Sequence, residues 1–131
     1  MSPRFDAVFA RLRAILEKHG ATFVVSDDAA GFYRLQGSVG PATIRAWGGK
    51  AKIPVIPVAW VQVGRSAVAY HLMALDGNPR LQQTMSPGLK ARMKGKTCLH
   101  FKATDDEALF LELDTVTARA LEGFRKAGFV A

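Results

Sequence analysis

Two stripes of apolar side chains at helical spacing stand near opposite ends of this 131-residue chain, and they constrain the fold more than anything between them. Toward the start, Phe5, Val8, Phe9, Leu12, Ile15 and Leu16 share one face of a helix, with Ser2 placed to cap it, Pro3 at its first position and Gly20 at its end. Toward the finish, Leu109, Phe110, Leu113, Val116, Thr117, Ala120 and Phe124 repeat the pattern up to Gly128. They follow Thr104-Asp105-Asp106-Glu107, which has the form of a capping box with its carboxylates at the positive end of the helix dipole. Between the helices the signals are strand and turn, so the chain reads as one α+β domain spanning residues 1–131.

The strand signals are short. Thr22 to Ser26, Phe32 to Gln36 and Ala42 to Trp47 are β-rich and separated by Gly, Asp and Pro. Gly48 to Pro57 reads as a loop or edge segment, because Pro54 and Pro57 cannot donate to a central ladder. Ala59 to Val63 and Ser66 to Met73 form a hairpin around Gly64-Arg65. A two-residue turn there pairs Val63 with Ser66, Val61 with Val68 and Ala59 with Tyr70. Two proline-started helical turns follow, at Asn78-Pro79 and at Ser86-Pro87, the second running through Leu89 and Met93 to Gly95. Lys96 to Lys102 then alternates as a last strand.

Alternation divides these strands into two faces. Val61, Val63, Val68, Tyr70, Leu72, Leu99 and Phe101 make one apolar face, as a core requires. Trp60, Gln62, His71, Met73, Cys98, His100 and Lys102 share the other, which is the candidate ligand-binding surface. Trp60 is expected opposite Ala69, leaving a recess for a ligand or for a side chain of a second copy in a homodimer. The alternative is that Thr22 to Pro57 folds over this face and makes it internal.

Cys98 and His100 are two residues apart on a strand, so they leave one face and, with His71, offer a metal site or the groups of a small enzyme. The bland reading is a buried inert thiol and structural histidines. Lys90, Arg92, Lys94 and Lys96 are the densest basic stretch and a candidate anion site, with Trp47 or Trp60 available for stacking. Here the bland reading is a helix end whose cations favour the dipole. The net charge of +7 agrees with a phosphate or nucleic-acid partner, yet it is spread along the chain with no run of five, so nucleic-acid binding is expected to be weak and non-specific. No G-x-S-x-G, H-E-x-x-H or G-x-G-x-x-G pattern occurs, and Gly48-Gly49-Lys50 lacks the Ser or Thr of a phosphate loop.

Composition supports the same picture. Apolar residues are 49% and charged residues 22%, as in globular domains, and Cys98 is the single cysteine, as expected in a reducing compartment. The longest apolar run, Ile53 to Val63, is interrupted by Pro54, Pro57 and Gln62. The start of the chain is amphipathic and has no signal-peptide pattern, so the expectation is a cytoplasmic protein without a membrane partner.

Tyr70-His71-Leu72-Met73, Asn78-Pro79, Met85-Ser86-Pro87-Gly88-Leu89-Lys90, Met93, Gly95-Lys96, Cys98 and Phe101-Lys102, in that order and spacing, resemble the YdhG-like family of small bacterial domains, most clearly from Ala59 to Phe124. The resemblance implies a frataxin-like layout, an antiparallel sheet with the N- and C-terminal helices on one face. It also implies an iron-chaperone role, so the function expected of the chain is that of a non-catalytic binding or accessory domain, with iron or cofactor handling as the form the resemblance suggests. Frataxin-like iron delivery is attributed to an acidic first helix, whereas the first helix here carries Arg4, Arg11, Arg13 and Lys18 against Asp6 and Glu17, so weak iron binding is the expectation.

Overall fold

The computed structural model describes residues 3–20, 23–39, 55–75, 79–95, 97–103, 106–126 and 129–130. The chain runs α1 (Pro3–His19), β1 (Val24–Ala29), β2 (Phe32–Val39), β3 (Val55–Val63), β4 (Val68–Leu72), a 3₁₀ turn (Met73–Leu75), α2 (Pro79–Gln83), α3 (Pro87–Lys90), β5 (Cys98–Phe101), α4 (Glu107–Lys126) and β6 (Phe129–Val130). The sheet order is β1-β2-β3-β4-β5, every neighbour antiparallel. β6 pairs with Ser38 and Val39 of β2, beyond the point where β1 has ended. The α+β layout expected from the chain is the one found, with both long helices on one face of an antiparallel sheet. The expected strand Ala42 to Trp47, the Ser2 cap, Gly48 to Pro54 and Lys96 lie outside the described residues, as do Asn78, Thr104, Asp105 and Gly128.

The core forms where the helix stripes meet the apolar face of the strands. Val8, Leu12, Ile15 and Leu16 of α1 and Phe110, Leu113, Ala120 and Leu121 of α4 are buried against Leu35, Val61, Val68, Tyr70, Leu72, Leu99 and Phe101. Past the end of α1 only glycine fits at position 20: a Cβ there would lie 2.6 Å from the Leu16 carbonyl oxygen and 2.6 Å from Leu35 Cδ1. Along the outer seam of the helices, Asp114 accepts from His19 Nε2 at 2.7 Å and pairs with Lys18 at 3.2 Å. Burial works against ionisation of Asp114, but the His19 and Lys18 contacts outweigh it and hold its carboxyl below its ordinary value.

Four local expectations are corrected. Strand β3 begins at Val55, so of the two readings of this stretch, loop or edge segment, Val55 to Pro57 takes the second and the loop reading stops short of Val55. The ladder tolerates Pro57 because the register with β2 shifts there, Leu35 facing Ala59 and Gln36 facing Pro57, and because β4 reaches only as far as Ala59. The hairpin closes with four residues instead of two: Val63 pairs with Val68, Val61 with Tyr70 and Ala59 with Leu72, while Gly64 N donates to the Ala67 carbonyl at 2.9 Å. A tight primed turn needs positive φ at one or both central residues, and neither Gly64 nor Arg65 has it. Helix α3 stops at Lys90 instead of continuing through Met93, and Gly95, at φ +101°, turns the chain back on itself. Finally, Asp106 caps α4 through Leu109 N, at 3.3 Å.

Behind β4 the core contains one buried polar pair, Tyr70 Oη and Thr117 Oγ1, 2.7 Å apart. Burial drives the Tyr70 phenol well above its ordinary pKa, so it stays protonated and paired. Tyr70→Phe is expected to destabilise the fold by about 1–3 kcal/mol by leaving the Thr117 hydroxyl unsatisfied. Adding Thr117→Val should restore most of the loss. Urea unfolding of the two variants checks this, and a double variant weaker than the single would contradict it.

Candidate anion-binding site

Strand register decides which side chains can meet on the sheet face turned away from the helices. Directly opposed residues share a face. One row therefore runs Asp27, Arg34, Trp60, His71, Cys98, and the next runs Ala29, Phe32, Gln62, Ala69, His100. Between them lies the core-facing row Tyr33, Val61, Tyr70, Leu99. Trp60, His71 and His100 are partly exposed, Gln62 is exposed and Cys98 is buried. Of the segment Thr22 to Pro57, proposed as a cover, residues 24–29, 32–39 and 55–57 are strands of the sheet itself.

The recess expected beside Trp60 is filled. Register brings His71, not Ala69, opposite Trp60, and their rings stack with centroids 4.3 Å apart and planes inclined by 15°. Ala69 instead faces Gln62 on one side and His100 on the other. Across β4 and β5, His71 Nε2 lies 3.5 Å from Cys98 Sγ. Burial lowers the His71 pKa, and His100 nearby lowers it further, so the ring is neutral at neutral pH. Burial likewise pushes the Cys98 thiol up, which keeps it protonated and a poor nucleophile. Among the described residues, no three His, Cys, Asp or Glu side chains converge as a metal site would require.

The basic stretch behaves differently from its sequence reading. Past α3, residues Arg92 to Lys94 run antiparallel beside β5: His100 N donates to the Arg92 carbonyl at 2.9 Å, and Lys94 N donates to the Cys98 carbonyl at 2.8 Å. Met93 is bridged to Leu99 and packs on the core, so alternation sets Arg92 and Lys94 apart from it, beside Cys98 and His100. The two candidate groups, one from the basic stretch and one from the sheet face, thus meet at the β5 edge. Arg92, Lys94, His100 and Lys102, with Ser66, Ala67 and Ala91, line a cleft of about 390 Å³. Lys90 is exposed at the end of α3 and does not line it.

Pairing separates these cations from the described cations of α1 and β2, while Arg65, Arg80, Lys90 and Arg119 likewise form no ion pair with a described residue but do not line this cleft. Arg11, Arg13, Lys18 and Arg34 each have a carboxylate partner, Glu107, Glu17 and Asp28, Asp114 and Asp27 respectively. None of Arg92, Lys94 and Lys102 forms an ion pair with a described residue, and among the described residues no carboxylate lines the cleft. The Arg92 guanidinium lies 6.0 Å from the Phe101 ring centroid, which anchors it without neutralising it. Concentrated positive charge in a concavity attracts anions, and a guanidinium, two ammonium groups, an imidazole and a hydroxyl match the oxygens of a phosphate.

Sequence reasoning did not single out Ser66. The four-residue hairpin connection carries it to the cleft rim, whereas the two-residue turn would have placed it in the ladder. Comparison with family models, with curated proteins and with solved structures gives no match for this chain.

The partly exposed position of Trp60 on the outer sheet face has a measurable consequence. Trp60→Ala should cost about 0.5–1.5 kcal/mol from the lost stack on His71, against about 3–5 kcal/mol for Phe101→Ala, which empties a core position. Chemical denaturation of both variants decides it, and a Trp60→Ala protein as unstable as Phe101→Ala would make this face internal.

Proposed function

We propose that this chain is a non-catalytic binding domain for a phosphorylated small ligand, held in the cleft between Arg92–Lys94 and the end of β5. The observation that carries this reading is the convergence on one concavity, with His100 and Ser66, of three cations that have no ion-pair partner among the described residues, Arg92, Lys94 and Lys102. An accessory role is favoured over an enzymatic one by the protonated Cys98 thiol and the neutral His71, a pair without an activated nucleophile. The single free thiol and the phosphorylated ligand class both suit a cytoplasmic protein. Among the described residues no helix is long and apolar enough to cross a membrane.

The iron-handling reading implied by the YdhG-like resemblance draws less support. Asp6 and Glu17 of α1 are the only described carboxylates on that helix, and Glu17 is already paired with Arg13 at 2.8 Å.

Calorimetric titration with inorganic phosphate at low ionic strength should give saturable binding with Kd on the order of a millimolar, weakening as salt is added. Arg92→Ala combined with Lys102→Ala should lower the affinity at least tenfold, while Arg13→Ala should leave it unchanged. Ferrous iron, titrated anaerobically in the same buffer without phosphate, is expected to give no comparable heat. Phosphate affinity indifferent to the double substitution would refute the site, and tight stoichiometric iron uptake would restore the iron reading.

A further inference from the structure

The cleft does not end at the phosphate-sized group of cations. His100 belongs both to its lining and to the sheet row Gln62, Ala69, His100, so the cleft opens directly onto the face described above. Ala67, on the cleft floor, stands two residues before Ala69 on the same strand direction, and His71 stands two residues beyond. That run covers about 13 Å of extended chain.

Its side chains change character along the way. At the cleft are Arg92, Lys94, Lys102 and the Ser66 hydroxyl. In the middle, partly exposed Ala69 is low ground between the exposed Gln62 amide and the His100 ring. At the far end, the stacked pair of Trp60 and neutral His71 closes the run with aromatic surface. A flat, weakly hydrated ring suits the middle: it can lie over a methyl group, meet an imidazole on one side and exchange hydrogen bonds with an amide on the other. A bulky aliphatic group would offer Gln62 and His100 no hydrogen bond.

We infer that the ligand is a phosphate monoester bearing a planar heteroaromatic ring, of the nucleoside monophosphate class, with its phosphate among Arg92, Lys94 and Lys102 and its ring over Ala69 between Gln62 and His100. This rests on the phosphate reading above and adds the ring to it. The phosphate provides attraction, and Gln62 provides discrimination, because a primary amide presents both a donor and an acceptor to a ring edge.

Calorimetry with adenosine 5′-monophosphate, ribose 5-phosphate and inorganic phosphate separates the two layers. Adenosine monophosphate should bind at least tenfold more tightly than ribose 5-phosphate. Ala69→Leu, which raises the floor, should bring that ratio close to one without weakening ribose 5-phosphate. Gln62→Ala, at an exposed position that the core does not need, should also reduce the ratio and keeps the test decisive if Ala69→Leu fails to fold. Equal affinities for the two esters in the unaltered protein, or a ratio that survives both substitutions, would overturn the ring assignment while leaving the phosphate site standing. If none of the three compounds binds, both readings fall together.

Discussion

The alternation of side chains along β3 from Ala59 onward and along β4 and β5 is the constraint on which the rest depends. Tyr33, Val61, Tyr70 and Leu99 form one row, buried under α1 and α4, and that burial leaves their neighbours no other place than the far face. Burying a large apolar side chain contributes about 1.5–3 kcal/mol, so slipping any of these strands by one residue would cost several such terms at once. Met93 extends the rule beyond the regular sheet. Because it packs on the core opposite Leu99, Arg92 and Lys94 must point away, and the cationic cleft is a by-product of where a methionine is buried.

Much of this was legible in the sequence, and the reason lies in periodicity. Helices α1 and α4 are read from stripes that a 3.6-residue repeat makes unambiguous, and the two sheet faces from a repeat of two. The hairpin shows how robust the second signal is: its register is displaced by two residues from the simplest turn, yet parity survives and every side chain keeps its face. What the displacement changes is pairing. Trp60 meets His71 instead of Ala69, and Ser66 moves from the ladder to the cleft. Such choices depend on turn dihedrals at Gly64 and Arg65, which one sequence does not specify.

The remaining misses have the same origin. Pro57 argues against a strand when taken alone, and only the adjoining bulge and the short reach of β4 make it harmless. Arg92 to Lys94 look like the end of a helix because Leu89 and Met93 are four apart, but Gly95 allows a return that β5 then captures by two backbone hydrogen bonds. The basic stretch and the sheet face appear as separate candidates in sequence, and only that return joins them.

Charge distribution gives the fold its functional direction. Arg11, Arg13 and Lys18 of α1 are engaged with carboxylates and contribute little beyond tying helix to helix and helix to β1. Those at the β5 edge are not engaged by any described carboxylate, which is a cost in self-repulsion that a bound anion would relieve. The most direct test of this account is a backbone amide NMR titration with inorganic phosphate at low salt. Shifts should concentrate at Ser66 and Ala67, at Ala91 to Lys94 and at His100 to Lys102, leaving α1 and α4 unmoved. Shifts centred on Arg11, Arg13 and Lys18, or spread evenly over the basic surface, would contradict it.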